Sequence, residues 1–184
     1  MSSMSGGIEV DICVIGAGSG GLSVAAGASQ LGASVALVER RLMGGDCLNF
    51  GCVPSKALLA AGKSAHNIAG AARFGITSAA PGIDQKAVRQ HVRDVIAAIA
   101  PHDSIERFRA LGVNVILGAA RFTGPREIQV DGQTIRARRF VVATGSSPVV
   151  PAIPGLDGVP YLTNETLFEY DQPMAHLIVI GGGP

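Results

Sequence analysis

The sequence predicts an α/β fold on a largely parallel sheet, and three observations carry that prediction. The apolar run VDICVIG enters a glycine turn, an Ala-rich helical pattern follows, and SVALVE reads as a second strand. Strand, turn, helix and strand within about 30 residues make a crossover unit, which forces the two strands parallel. Further along, FVVATG is another short buried run ending in glycine.

Taken in order, the first strand covers Val10 to Ile15 and ends where the glycines begin. Leu22 to Leu31 is apolar nearly all round, as expected of a helix buried against a sheet, and Gly32 is placed to end it. Ser34 to Glu39 is the second strand. Pro54 to about Asn67 reads as a helix with proline in its first turn, and a further helix spans Asp84 to Ile99. In the latter, Val88, Val92, Val95, Ile96 and Ile99 keep helical spacing. Val113 to Gly118 is a strand, after which the period changes. Glu127 to Val130 alternates, Asp131-Gly132 is a two-residue hairpin turn, and Gln133 to Ala137 alternates back, so a small antiparallel meander interrupts the pattern. Phe140 to Gly145 is the next buried strand. Ser146 to Pro160 holds four of the ten prolines and reads as an extended connector. LIVIGGGP, Leu177 to Pro184, repeats the grammar of the first strand, an apolar run entering glycines.

Composition narrows the function. The chain has 184 residues, room for one domain and the start of another at about 150 residues per domain. Hydrophobic residues make up 47% and mean hydropathy is +0.36, yet no apolar run approaches the roughly 20 residues of a membrane span. MSSMSGGIEVD has neither the basic nor the apolar region of a secretory signal, so a cytoplasmic location is expected. Fifteen Lys plus Arg against fourteen Asp plus Glu leave +1, with no basic patch for nucleic acid. Two tyrosines, six phenylalanines and no tryptophan likewise give no stacking platform for single strands.

The glycine turn carries chemistry. Gly16-Ala17-Gly18-Ser19-Gly20-Gly21 fits G-x-G-x-x-G between a strand and a helix, and Glu39 ends the next strand at about the 20-residue distance. The first glycine makes the tight turn, the second lets backbone approach a pyrophosphate, and the third lets helix pack on strand. The helix N-terminus supplies free N–H groups. Glu39 is placed to accept hydrogen bonds from an adenosine ribose and disfavours a 2′-phosphate, an exclusion that Arg40 and Arg41 soften. A dinucleotide site is the reading these residues support, against a bare βα turn with a solvated glutamate.

GGDCLNFGCVPSK, residues 44–56, holds two cysteines five positions apart. In a reducing compartment such a pair points to catalysis or metal binding rather than a structural bridge. No second pair or histidine stands at finger spacing, so no metal site is expected, and the polar and bare surroundings argue against an inert buried pair. A redox disulfide sets a geometric condition. Positions five apart on a regular helix lie about 8 to 9 Å apart at Cα, whereas a disulfide wants less than about 7 Å. The first helical turn must therefore be distorted, and Gly51 with Pro54 permits that, leaving Cys52 at the helix N-terminus where the dipole favours a thiolate. Lys56, one turn on, adds positive charge.

GAGSGG with Glu39, GGDCLNFGCVPSK, the ATG of Ala143 to Gly145 followed by Pro148, and LIVIGGGP together resemble one family. The chain looks like the N-terminal part of a pyridine nucleotide-disulfide oxidoreductase, the group that contains dihydrolipoamide dehydrogenase, mercuric reductase and glutathione reductase. The resemblance implies a Rossmann-like FAD-binding domain over residues 1–150 that lacks its C-terminal return segment. A connector over 151–175 would follow, and 176–184 would be the first strand of an NAD(P)-binding domain, truncated at its start. It places FAD on Gly16, Gly18, Ser19, Gly20 and Gly21, with Glu39 and Arg40 toward the adenosine. Gly45 and Asp46 would lie near the pyrophosphate, Gly118 and Ala119 beside the adenine, and Ala143, Thr144 and Gly145 over the cofactor. Cys52 would be the flavin-side thiol, Cys47 the one exchanging with substrate, and Lys56 a neighbour of the reactive flavin nitrogen. Electrons would pass between NAD(P)H, FAD and the Cys47–Cys52 disulfide to a small-molecule disulfide or a metal-ion substrate of the Hg(II) type. The full-length protein would be a homodimer, and the 184 residues alone would be inactive for want of a nicotinamide site and an acid-base histidine. Asp46 departs from the threonine common in better-known members, and a carboxylate near a pyrophosphate needs a neutralising partner. Ser55 beside Lys56 leans toward the mercuric and dihydrolipoamide branches.

Two residual groups complete the reading. Cys13, in the middle of the first strand, is a small core residue. His66, His91, His102 and His176 are scattered and unpaired with the thiols. A competing reading from another class is a nucleotide-binding module whose thiols act as a redox sensor without catalysis.

Overall fold

The computed structural model describes residues 7–170, 172 and 174–182. The N-terminal residues read above for an export signal lie largely outside this range, as do Gly183 and Pro184 of the closing glycine motif.

A crossover unit opens the chain, with strand β1 (Ile8–Ile15), helix α1 (Ser19–Gln30) and strand β2 (Val35–Glu39). Helices α2 (Gly45–Asn49), α3 (Cys52–Ala69), α4 (Gln85–Ile99) and α5 (Ile105–Ala110) follow before the chain returns to the sheet. Strands β3 (Asn114–Leu117), β4 (Arg121–Gly124), β5 (Glu127–Val130) and β6 (Gln133–Val142) complete it, and helix α6 (Asn164–Leu167) lies beyond the proline-rich stretch. One six-stranded sheet runs β3-β2-β1-β6-β5-β4. Its first three steps are parallel and its last two antiparallel.

The α/β architecture is as the pattern predicts, with three differences. First, Gln133–Ala137 and Phe140–Gly145 read as two strands, but β6 is a single ten-residue strand. It pairs parallel to β1 from Ile8↔Ile135 to Ile15↔Val142 and antiparallel to β5 at its start. The charged Arg138-Arg139 hid this continuity; both are exposed, beyond the point at Arg136 where the pairing of β6 with β5 stops. The meander is thus an extension of the main sheet, and β4, not read as a strand, is its edge.

Second, α1 is not buried all round. Gly21, Leu22 and Ala25 are buried, whereas Leu31 is 90% exposed. A helix lying on a sheet buries one stripe, and the run of alanines there reports helix propensity rather than burial. Third, Leu177 to Gly182 form no strand and are exposed, because a strand needs hydrogen-bonding neighbours and none of the described residues pairs with this segment.

Two cores hold the sheet. On one face Val14, Leu22, Ala25, Leu37, Phe108 and Val115 cluster between the parallel strands and helices α1 and α5. On the other, Cys13, Ala36 and Val38 meet Ile128, Val130 and Ile135 from the antiparallel end. Cys13 is fully buried, a core residue as expected, and burial pushes its thiol up to about 11. Among the described residues no helix is long and apolar enough to cross a membrane.

A polar clasp closes the end of the sheet away from the glycine turn. Asp11 accepts from the Ser34 hydroxyl at 2.7 Å, the Ser34 N–H at 3.0 Å and Arg138 at 3.1 Å, joining β1, the start of β2 and β6. The Ser34 hydroxyl first, then the Ser34 N–H and Arg138, hold the Asp11 carboxyl below the usual carboxylate range. A depressed carboxyl contributes stability above its unfolded value, and that contribution disappears as pH falls through the folded value. Asp11→Asn is therefore expected to be less stable than wild type at neutral pH and equal to it in strong acid. Urea denaturation at both pH values checks this, and an unchanged gap between the two proteins would refute it.

Candidate functional site

The ends of β1, β2, β3 and β6 open onto one cleft of about 490 Å³, within the range of cofactor pockets. It lies where a parallel sheet binds ligands, at the carboxyl ends of its strands. The glycine turn contributes Gly16 and Gly18, the end of β2 contributes Glu39 and Arg40, and the start of α2 contributes Gly45 and Asp46. Gly118 and Ala119 enter from the loop after β3, and Ala143, Thr144 and Gly145 from the end of β6. Residues scattered over some 130 positions of sequence thus converge because the strands that carry them are neighbours.

The three glycines differ in what demands them. Gly16 has φ +105°, and a Cβ there would overlap the Ala143 carbonyl, so the turn excludes a side chain. A Cβ on Gly21 would overlap the Gly16 carbonyl oxygen, which is the close packing of α1 on the turn. Gly18 is different. Its φ of −80° and ψ of −175° suit any residue, and a Cβ there would meet only Gly45 Cα, at an ordinary 3.8 Å. Protein packing therefore leaves its bare backbone unexplained, and it faces the cleft.

Glu39 is 8% exposed and accepts from the Ala17 N–H at 2.6 Å and the Arg41 N–H at 2.7 Å. Both oxygens are thus held by backbone of the glycine turn and of the β2 end. A carboxylate has about four lone-pair sites, so acceptor capacity toward the cleft remains. Asp46 accepts from the Asn164 amide at 2.9 Å, a neutral donor that satisfies one oxygen without compensating its charge. Ser19, Gly20 and Gly21, expected around the same ligand, sit on the first turn of α1 outside the lining.

Cys47, Cys52 and Lys56 also stand outside the lining, close in sequence to its residues Asp46 and Phe50. The expected distortion takes the form of a break. Cys47 lies on α2 and Cys52 opens α3, separated by Phe50 and Gly51. A Cβ on Gly51 would come to 2.8 Å from Asp46 Oδ2 and 3.1 Å from the Asp46 carbonyl oxygen, so a side chain there would displace the Asp46 carboxylate. Helix α3 starts two residues before the expected Pro54, with Cys52 as its first residue. The break lets the two sulfurs meet as free thiols. A hydrogen bond to the Cys52 side chain raises the Cys47 thiol above its ordinary range, with burial and the Cys52 charge adding to it. The Cys52 backbone N–H and Lys56 pull the other way. Cys52 and Lys56 are exposed and Cys47 half-buried.

Sequence reasoning missed the far wall of the cleft. Phe50, Ser147 and Glu165 line it. The connector, expected to lead away, returns through α6, where Thr163 and Thr166 form a reciprocal capping box. Glu165 then accepts from the Ser147 hydroxyl at 3.0 Å and pairs with Arg41 at 3.6 Å. Arg41 also lies 5.8 Å from the Phe50 ring. The T-x-x-T spacing before an apolar residue was the one signal available for α6.

Free-thiol chemistry follows exposure. Iodoacetamide is expected to label Cys52 first, Cys47 more slowly and with gain as pH rises above the ordinary thiol range, and Cys13 only on unfolding. Peptide mass spectrometry reads the order, and early labelling of Cys13 would contradict the buried strand.

Comparison with known proteins matches residues 10–184 to the family described as pyridine nucleotide-disulphide oxidoreductase. The chain is 38% identical over 179 residues to a mercuric reductase of Streptomyces lividans, covering 94% of this chain and 38% of that protein. It is 40% identical over 174 residues to a dihydrolipoyl dehydrogenase of Thermus scotoductus, covering 94% and 37%. Its fold superimposes on the Cu(II) complex of the HOCl-induced flavoprotein disulfide reductase RclA from Escherichia coli. That match has a TM-score of 0.71 at 23% identity, over 88% of this chain and 34% of that one. The chain therefore spans little more than a third of the length of these relatives.

Proposed function

The chain belongs to the pyridine nucleotide-disulphide oxidoreductase family, and on that premise we propose that it carries the FAD-binding and dithiol part of a flavoenzyme. Electrons pass between NAD(P)H, FAD and a Cys47–Cys52 disulfide, and from there to a small-molecule disulfide or an Hg(II)-type ion. The full protein is a cytoplasmic homodimer in this reading, and residues 1–150, 151–175 and 176–184 divide as the resemblance implies. The 184 residues alone do not turn over.

One observation carries the reading: Gly18, bare where the protein itself has room for a side chain, faces the cleft at the start of a helix. Backbone exposed in this way suits a pyrophosphate, which needs close approach to N–H groups and the positive end of α1. Glu39, fixed by two backbone donors, keeps acceptor capacity for ribose hydroxyls, and Gly118 with Ala119 offers a small-residue bed for an aromatic base. The residues present therefore fit a dinucleotide. When bound, FAD supplies a two-electron carrier between a nicotinamide and the thiols.

The chain's own part is sulfur chemistry. Oxidation of the two thiols to a disulfide releases two electrons and two protons, and reduction takes them back. The break at Gly51 brings both sulfurs within reach, and Lys56 stabilises negative charge on Cys47. Cys52 takes the cofactor side and Cys47 the substrate side.

Titration of the chain with FAD, followed by quenching of flavin fluorescence, tests the reading. Wild type is expected to bind, and Gly18→Val to bind at least about tenfold more weakly, because the new side chain fills the phosphate approach. Bound FAD is also expected to slow iodoacetamide labelling of Cys52 while leaving Cys47 open. A wild-type chain that takes up no FAD, or a Gly18→Val chain that binds equally well, overturns the proposal.

A further inference from the structure

A second concavity, of about 360 Å³, lies between α3, α4 and the segment after α6. Its walls are two helical stripes in the same register. Leu58, Ala61, Gly62 and Ala65 come from α3, and Gln85, Val88, Arg89 and Val92 from α4, each set at i, i+3, i+4 and i+7. Phe168 and Met174 cover part of it. The small residues of α3 make the space, and a Cβ on Gly62 would meet nothing within 4 Å.

Arg89 is anomalous in this setting. It is 8% exposed and lines the groove, and its side chain makes no hydrogen bond, ion pair or ring contact with any described residue. The neighbouring carboxylates are engaged elsewhere, Asp84 in capping α4, Asp94 with Gln90 and Glu169 with Arg93. No carboxylate lines the groove among the described residues. No buried side-chain nitrogen lacks a partner among the described residues, so the Arg89 guanidinium keeps contact with water through the groove while its stem is buried, and apolar walls around a single cation complement one class of ligand. We infer that this groove binds a small amphipathic anion, an apolar chain ended by one carboxylate, with the carboxylate on Arg89 and the chain along the α3 stripe. The site is separate from the cleft and the thiols, and does not depend on the function proposed above.

Calorimetric titration of the chain with decanoate, below its micelle concentration, tests this. Saturable binding of one decanoate is expected, with 1-decanol at least about tenfold weaker, because a charge-assisted hydrogen bond is lost. Arg89→Met is expected to lose at least about tenfold for decanoate and nothing for 1-decanol. Gly62→Leu, which favours the helix and fills the groove, is expected to abolish binding of both. The proposal fails if wild type binds no decanoate, if Arg89→Met binds it unchanged, or if Gly62→Leu is without effect. Should Arg89→Met not fold, as judged by circular dichroism, equal affinity of wild type for decanoate and 1-decanol overturns it. A longer form of the protein that excludes decanoate also overturns it, in favour of an acidic segment of the protein itself.

Discussion

Gly21→Ala is expected to destabilise the chain by about 3 kcal/mol or more, the upper part of the range for overpacking. The added Cβ would overlap the Gly16 carbonyl oxygen and approach Val14 Cγ1 to 3.3 Å, so α1 and the glycine turn must separate. Helix propensity alone argues the opposite sign, since alanine is favoured over glycine in a helix by about 1 kcal/mol. The backbone overlap is the larger effect. Gly20→Ala, one position earlier, provides the contrast. A Cβ there meets nothing within 4 Å, so propensity is unopposed and a gain of up to about 1 kcal/mol is expected. Urea denaturation of both variants decides the matter, and a Gly21→Ala protein as stable as wild type would show that the turn yields more easily than its packing implies. Because the turn forms one wall of the cleft, Gly21→Ala is expected to lose FAD affinity along with stability.

Removal of either thiol is expected to abolish internal disulfide formation completely. Treated with oxidised glutathione in the absence of FAD, when nothing covers Cys52, wild type first forms a mixed disulfide at this exposed thiol, and Cys47 then displaces the glutathione to close the bridge. Cys47→Ser stops at the mixed disulfide, and Cys52→Ser can form one only at Cys47. In the full-length enzyme either change is expected to reduce electron transfer to disulfide substrates to the uncatalysed background. Intact mass separates the products. Wild-type chain that accumulates two glutathione adducts and no internal bridge would show that the sulfurs do not exchange with each other.

Much of the site was legible because its chemistry is written in local pattern. Gly16, Gly18 and Gly21 fall at the fixed offsets of a strand–turn–helix, and Glu39 falls at the end of the strand that must lie beside β1. Cys47 and Cys52 declared a distorted helix start by spacing alone, since a regular helix would hold them too far apart. Asp46 could be identified as needing a neutralising partner, but its hydrogen bond from the Asn164 amide, 118 residues away, could not be read. Nor could the return of the connector be read. Its prolines describe an extended chain, and whether that chain leaves or folds back depends on Glu165 finding Arg41 and Ser147.

The sequence by itself determined the crossover unit, the glycine cradle, the acid at the end of β2 and the helix break between the thiols, because each depends on residues within a few turns of one another. Tertiary structure alone decided that β6 is one strand shared by the parallel and antiparallel halves, that only one stripe of α1 is buried, and that α6 walls the cleft. It also decided that Arg89 lines an apolar groove to which no carboxylate among the described residues contributes. These outcomes turn on which surfaces meet. Burial and pairing are properties of two partners, and a residue's own neighbours in sequence specify only one of them.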